Sequence, residues 1–319
     1  MPEPLRIAVI ANAAWNLHHF RGNLMRAIRA SGHAVIAVAA PDTSAPLLEA
    51  EGFPYRSFPL SSAGINPLRE LRTVLALRRI LREERIDAAL SFTPKGNIYT
   101  GLALAGMPGA RIVNISGLGR AFIRPSPLTH IVKLFYYLTL RGATRVFFQN
   151  EDDHRAFLAM KLVGAEKAEI LPGSGVDLEY FTPRAMPAGD ETHFLLVGRM
   201  LWDKGVGEFV EAARQIRRQH SQARFLLLGG LSDNPSAIMP AHIKAWEREG
   251  VIAYGGKTDD VRPALAAADC VVLPSYREGT PRALLEAAAT ARALIATDVP
   301  GCRSVVEDGG TGYLCPRTH

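Results

Sequence analysis

The sequence predicts an α/β protein built from two successive doubly wound domains. Three observations predict it. Short Val/Ile/Leu/Ala runs recur without alternating with polar residues, a helical pattern follows each, and a Pro/Gly-dense stretch splits them into two series. At 319 residues the chain is long enough for two ordinary cores.

The first series comprises LRIAVIA (5–11), AVIAVAA (34–40), IDAALSF (86–92), RIVNIS (111–116) and RVFFQ (145–149). Such runs suit strands buried on both faces of a parallel sheet. Between the second and third, NPLRELRTVLALRRILREER predicts a helix capped by Asn66, with Pro67 first and with Leu68, Leu71, Leu75 and Ile80 as its core stripe. The second series starts near 193 with HFLLVG and continues through RFLLLGG, VIAYGG, DCVVLP and ALIATD. LPGSGVDLEYFTPRAMPAGDET between them has the composition of a linker. The expected division is a first domain over 1–172, a linker over 173–192 and a second domain over 193–319. Ligands of open parallel sheets bind beyond the C-terminal strand ends, so two facing sheets would enclose a cleft.

Apolar residues make up 48% and charged residues 21%, a soluble, globular balance. No run approaches the roughly 18 apolar residues of a membrane span. MPEPLRIAVIANAAW reads as a first strand and not as a signal peptide. Cys270, Cys302 and Cys315 fit no metal-ligand spacing, and the nine histidines contain no H-x-x-x-H, so a structural zinc is not expected and a reducing, cytoplasmic setting is. The net charge of +6 is uneven: through Arg184 there are 22 Lys and Arg against 15 Asp and Glu, and afterwards 15 against 16. Residues 88–150 contain no acid and seven bases, a stretch that attracts phosphates of nucleic acid or of a membrane surface. No recognised nucleic-acid module accompanies it.

Six segments are candidates for function. In YREGTPRALLE (276–286), Thr280 as cap and Pro281 as first residue predict a helix start, an anion site formed with the N–H groups of Gly279 and Thr280. Glu278 stands before that start and Glu286 within the helix. Carboxylates on either side of a diphosphate could take sugar and ribose hydroxyls; two surface glutamates flanking a helix are the ordinary alternative. In LLVGRMLWDKG (195–205), Gly198 ends a strand, and Arg199 and Lys204 could neutralise a diphosphate leaving group or be ordinary loop charges. ANAAWNLHHFRGNL (11–24) offers Asn16, His18, His19 and Arg21 after the first strand, with neither G-x-G-x-x-G nor a Walker A loop. SFTPKGNIYTG and SGLGRAF offer Lys95, Asn97, Gly117 and Gly119 to an anionic acceptor, or are plain turns. Finally, RPSPLTHIVKLFYYLTLRGATR (124–145) reads equally as a core helix with basic ends or as a helix resting on a membrane.

SFTPKGNIY, SGLG, FFQNEDD, PGSGVD, VGRMLWDKG, PSYREGTPRALLEA and ATDVPGCRSVVEDGGTGYL together resemble, in this order, the family 4 retaining glycosyltransferases of B-type fold. The likeness covers nearly the whole chain and is closest to bacterial polysaccharide and glycan enzymes that use UDP-sugars, especially UDP-N-acetylhexosamines. It implies two Rossmann-like domains facing a cleft, the second binding the donor. Arg199 and Lys204 would hold the diphosphate, Glu278 would contact sugar hydroxyls beside Gly279 and Thr280, and Glu286 would bind ribose. Gly198, Pro281 and Leu285 would line the same donor site. Asn16, His18, His19, Arg21, Lys95, Asn97, Gly117 and Gly119 would form the acceptor side. The implied acceptor is a glycan, often on polyprenyl diphosphate, and the implied setting is the cytoplasm at the inner face of an anionic membrane. No cofactor beyond the UDP-sugar and no metal is expected, since no D-x-D motif is present. Two other readings stay open: a UDP-N-acetylhexosamine 2-epimerase, and a non-catalytic sugar-nucleotide-binding protein. Members of the family commonly continue for several dozen residues beyond GYLCP, with a last helix crossing back to the first domain. The resemblance implies that this closing helix is missing here, leaving its packing surface exposed or covered by a partner.

Overall fold

The runs of the first series become parallel strands β1 (Arg6–Ile10), β2 (Ala34–Ala39), β4 (Ala88–Phe92), β5 (Ala110–Ile115) and β6 (Arg145–Phe148), joined by two strands not read from the sequence, β3 (Tyr55–Ser57) and β7 (Ala168–Ile170). This is a computed structural model, describing residues 3–60, 66–118, 122, 127–171, 173–232 and 236–317. The chain divides into two units, Met1–Ser174 and Gly175–His319. In the first, the seven-stranded sheet has the order β3-β2-β1-β4-β5-β6-β7, all pairs parallel. Chain direction reverses across the sheet between β1 and β4, where Ile7 pairs with Ala88.

Helices α1 (Ala14–Ala30) and α2 (Ala45–Ala50) cover one face, packing Leu17, Met25 and Leu48 on Val9 and Val35. On the other face, α3 (Pro67–Glu83), α4 (Pro94–Ala103), α5 (Pro127–Leu140) and α6 (Glu151–Ala159) enclose Ile10, Ala89 and Val113 with Leu77, Leu81, Tyr136 and Phe157. Asn66 caps α3 as its sequence implies, accepting hydrogen bonds from the N–H groups of Leu68 (3.1 Å) and Arg69 (3.3 Å). The expected stripe is wrong: Leu68, Leu71 and Leu75 are exposed, Ile80 is half-buried, and Thr73, Leu77 and Leu81 face the core. Leucines occur all round this helix, so their count does not choose a face. Thr73 helps to settle it, its hydroxyl donating to the carbonyls of Pro59 (2.7 Å) and Arg69 (3.0 Å).

The second unit repeats the plan with β8 (Thr192–Val197), α7 (Val206–Gln219), β9 (Ala223–Leu228), α8 (Pro240–Arg248), β10 (Ala253–Tyr254), α9 (Arg262–Ala267), β11 (Cys270–Leu273), α10 (Arg282–Ala289), β12 (Ala293–Thr297), α11 (Pro300–Arg303) and β13 (Gly312–Cys315). Its parallel six-stranded order is β10-β9-β8-β11-β12-β13, with the reversal between β8 and β11, where Leu195 pairs with Val271. Within 173–192, Val176 and Phe181 join the core formed by Leu195, Leu265 and Leu284. Buried Arg292 donates to the carbonyls of Arg184 and Ala185, which ties that segment to the second unit. Helix α10 begins one residue later than expected. Pro281 is its cap, at ψ 112, and its carbonyl is the first acceptor, taking the N–H of Leu284 at 3.1 Å; Thr280 lies outside.

Candidate active site

The topology places two loops at the switch point of the second sheet, one after β8 and one after β11, where open α/β sheets bind ligands. The first begins at Gly198, whose N–H donates to the Leu228 carbonyl at 2.9 Å. A Cβ at Gly229, φ +149, would lie 1.8 Å from the Gly198 carbonyl, so only glycine lets the two strand ends approach. Arg199 is exposed, while Met200 and Leu201 anchor the loop in the core. A 3₁₀ turn, Trp202–Lys204, ends at Gly205, φ +72, where a Cβ would sit 2.0 Å from the Pro274 carbonyl. This close approach sets Lys204 against the second loop.

The second loop is tied back in turn. The buried Ser275 hydroxyl and the Tyr276 N–H both donate to the Asp203 carbonyl, at 3.2 and 3.1 Å. The Tyr276 hydroxyl donates to the Glu208 carboxylate in the first turn of α7. Gly301 of α11 presses on the turn from behind: a Cβ there would be 2.0 Å from the Gly279 carbonyl. So held, Glu278 accepts a charge-assisted hydrogen bond from Lys204 Nζ at 2.5 Å, the two side chains 10% and 25% exposed.

Glu286 lies one turn into α10, only 13% exposed, with Arg282 Nη2 3.1 Å from its carboxylate. Burial holds the Glu286 carboxyl above its ordinary 4.5, and Arg282 pulls the other way. Neighbouring Cys302 is no nucleophile: burial, reinforced by Glu278, pushes its thiol up to about 12. Gly279 and Pro281 are buried and Leu285 half-buried along the same turn and helix. Among the described residues, no group of three or more His, Cys, Asp and Glu side chains is placed to hold a metal ion.

The first-unit candidates follow β1, β4 and β5, adjacent strands at that sheet's switch point. Asn16, His18, His19 and Arg21 lie within α1 itself. The Asn16 side-chain oxygen is buried without a partner. His18 points to Glu51, 3.1 Å away, and His19 stacks on Trp15 with centroids 4.8 Å apart. Arg21 is 6% exposed, its guanidinium 4.0 Å above the Phe92 ring and donating to the Ser174 hydroxyl, a bracing position. Lys95 pairs with Glu70 at 3.1 Å. Asn97, expected on the acceptor side, is buried and donates to the Asn114 carbonyl at 2.9 Å. Gly117 has φ +128, and Gly119 lies outside the described residues.

Sequence reasoning missed two residues. Arg282, which neutralises Glu286, was legible as an i, i+4 pair on a predicted helix. Thr93, at the end of β4, adopts φ +69 and leaves its hydroxyl buried and unpartnered. Backbone strain of this kind costs about 1–3 kcal/mol and concentrates at functional sites. Nothing in the sequence signalled it, since the following proline favours extended backbone at negative φ for the residue before it.

Known proteins resemble both units of the chain. Residues 18–174 match the family model for the glycosyl transferase 4-like domain, and 191–319 match that for glycosyl transferases group 1. Over 97% of this chain and 84% of the relative, it is 26% identical to N,N'-diacetylbacillosaminyl-diphospho-undecaprenol alpha-1,3-N-acetylgalactosaminyltransferase of Campylobacter jejuni. Over 85% of this chain and 73% of the relative, it is 25% identical to UDP-Gal:alpha-D-GlcNAc-diphosphoundecaprenol alpha-1,3-galactosyltransferase of Escherichia coli. Its fold matches Anabaena HepE in complex with UDP and glucose, with a TM-score of 0.76 at 17% identity over 98% of this chain and 86% of the other. The chain belongs to these glycosyltransferases, enzymes of the two-domain B-type fold.

Proposed function

We propose that the chain transfers a sugar, an N-acetylhexosamine or a hexose, from a UDP-sugar to a glycan acceptor carried on polyprenyl diphosphate, with retention of anomeric configuration. The observation that carries this reading is the Lys204–Glu278 pair across the switch point, beside the half-buried Arg282–Glu286 pair of α10. The names of the two relatives, both acting on undecaprenol-linked sugars, support the acceptor class.

On this reading Arg199 and Lys204 take the donor diphosphate. Lys204 then exchanges one carboxylate for phosphate, and Glu278 turns its oxygens to the hydroxyls of the transferred sugar, beside Gly279 and Thr280. Glu286 accepts from the ribose hydroxyls, its orientation set by Arg282. The acceptor oxygen bonds to the anomeric carbon on the face from which UDP departs, and the departing phosphate oxygen receives the acceptor proton. No protein base and no metal is required; the two cations stabilise the charge that develops on UDP. Work on a lipid-linked acceptor places the enzyme peripherally at the cytoplasmic face of an anionic membrane.

The test is incubation with UDP-sugars and polyprenyl-diphosphate sugars, with the product linkage read by NMR. An α-linked product from an α-linked donor is expected, with Lys204→Ala and Glu278→Gln each slowing transfer by roughly 100-fold or more. Epimerisation of the UDP-sugar, or donor hydrolysis with no glycosylated acceptor, would replace this reading with one of its rivals.

A further inference from the structure

The first unit contains a cation–carboxylate pair of the same build as Lys204–Glu278. Lys95 Nζ lies 3.1 Å from the Glu70 carboxylate, the two side chains 29% and 20% exposed. The acid-free stretch 88–150 holds Lys95 and offers it no counterion, so the carboxylate comes from α3. The other Glu70 oxygen accepts from the Tyr99 hydroxyl, one turn along α4 from Lys95. Tyr99 is buried, and burial together with Glu70 pushes its hydroxyl well above the ordinary 10, so it stays protonated and remains the donor. Lys95 Nζ stands 5.9 Å from the centre of the Tyr99 ring.

The topology sets this pair at the ligand-binding edge of the first sheet. Helix α3 leads from the end of β3 to the start of β4, so Glu70, in its first turn, lies at the C-terminal edge. Lys95 follows β4 directly and lies at the same edge. A Cβ on buried Gly96 would lie 3.8 Å from Ala11 Cα, which sets the first turn of α4 beside the end of β1, where strand order reverses. Two residues before Lys95, the Thr93 hydroxyl is buried without a partner, a donor left for a ligand. Docking α3 onto α4 does not need Lys95. Leu77 and Leu81 share a core with Ala103 and Leu104, and Arg78 donates to the carbonyls of Ala103 and Ala105, both at 2.7 Å. A partly exposed ion pair adds little to stability, so folding alone does not account for this one.

We propose that Lys95 and Glu70 form an exchange pair for the acceptor: the diphosphate of the lipid-linked sugar takes the Lys95 ammonium from Glu70, and Glu70 takes it back when the product leaves. This rests on the transfer reading above and gives the acceptor's diphosphate a place in the first unit. Acceptor and product carry the same diphosphate, so a cation with no competing carboxylate would hold both tightly and slow turnover. Tyr99 keeps Glu70 in place during the exchange, because its bond to the carboxylate does not pass through Lys95. Lys95 touches the substrate; Glu70 acts through Lys95 and is a positioning residue.

The test is a calorimetric titration of farnesyl diphosphate into the full chain saturated with UDP, with steady-state transfer to a polyprenyl-diphosphate sugar and a separate UDP titration on every variant. Lys95→Ala is expected to lose about tenfold or more in farnesyl diphosphate affinity, the worth of a charge-assisted hydrogen bond. Glu70→Gln keeps an oxygen for Tyr99 and should gain affinity by roughly tenfold, with acceptor KM and kcat both lowered. UDP affinity should be unchanged in both variants. A pair that only braces α3 against α4 would give a loss in Glu70→Gln, not a gain. A wild type that binds UDP but not farnesyl diphosphate overturns the proposal and leaves the donor reading standing. So does Lys95→Ala that binds as the wild type does, or Glu70→Gln that loses affinity or leaves it unchanged. The expected pattern of farnesyl diphosphate binding in a chain that fails to bind UDP would support the exchange pair and count against the donor reading alone.

Discussion

On the proposed reading, Glu286 sits where folding and binding pull in opposite directions. Its carboxyl is raised above 4.5 by burial, so protonation favours the folded state. That stabilisation is fully present below the unfolded value and is lost as pH rises through the elevated folded one. Glu286→Gln is therefore expected to raise Tm at neutral pH, with the gain disappearing on acidification, and to weaken UDP binding. A pH-independent loss of Tm would contradict this. Arg282 opposes the rise, so Arg282→Met should move the carboxyl further upward. UDP affinity should then fall by about tenfold, a charge-assisted bond's worth, and fall further as acidification protonates the raised carboxyl, with Arg282→Lys restoring part of it. Calorimetry across pH reads both effects, and a pH-flat loss would make Arg282 merely structural. The thiols follow the same logic of burial. Cys270 is pushed up to about 11 and Cys302 up to about 12, whereas Cys315 is exposed. A thiol reagent at mildly alkaline pH should modify Cys315 rapidly and the other two only on unfolding; rapid modification of a second thiol would show that one of the buried pair opens readily.

Among the elements, α3 and the loop after β11 show what local sequence does and does not specify. The start of α3 was legible because Asn-Pro supplies a cap and a preset φ, needing only neighbours along the chain. Its buried face was not, since leucines at 68, 71, 75, 77 and 81 leave the choice to tertiary packing. Leu77→Ala should cost about 2–5 kcal/mol in denaturant unfolding and Leu71→Ala under about 0.5 kcal/mol; equal costs would mean the helix packs by another face. The carboxylates of the candidate site were legible as a spacing, but their supports were not. Gly205 and Gly301 lie far apart in sequence and act through backbone contacts with Pro274 and Gly279. Gly301→Ala is expected to cost about 1–3 kcal/mol of stability through overpacking and to weaken donor binding by displacing Glu278, which titrations with UDP and a UDP-sugar would measure. Strands β3 and β7, three residues each, carried too little pattern to be read at all.

At the scale of the whole chain, the doubly wound plan was readable because a strand buried on both faces leaves an apolar run that nothing else in a soluble protein requires so regularly. The same plan explains why the candidate site is divided among distant segments. Each sheet reverses its strand order once, and the loops flanking the reversal come from residues 198–205 and 274–286 in the second unit. The central claim is that this switch point is a donor site holding UDP through Lys204 and Glu286. The most direct measurement is a calorimetric titration of UDP, GDP and ADP into the wild type, Lys204→Ala and Glu286→Ala. The account predicts selective UDP binding, weakened by roughly 10- to 100-fold in each variant. Absence of UDP binding by the wild type, or UDP binding that both substitutions leave unchanged, would contradict it.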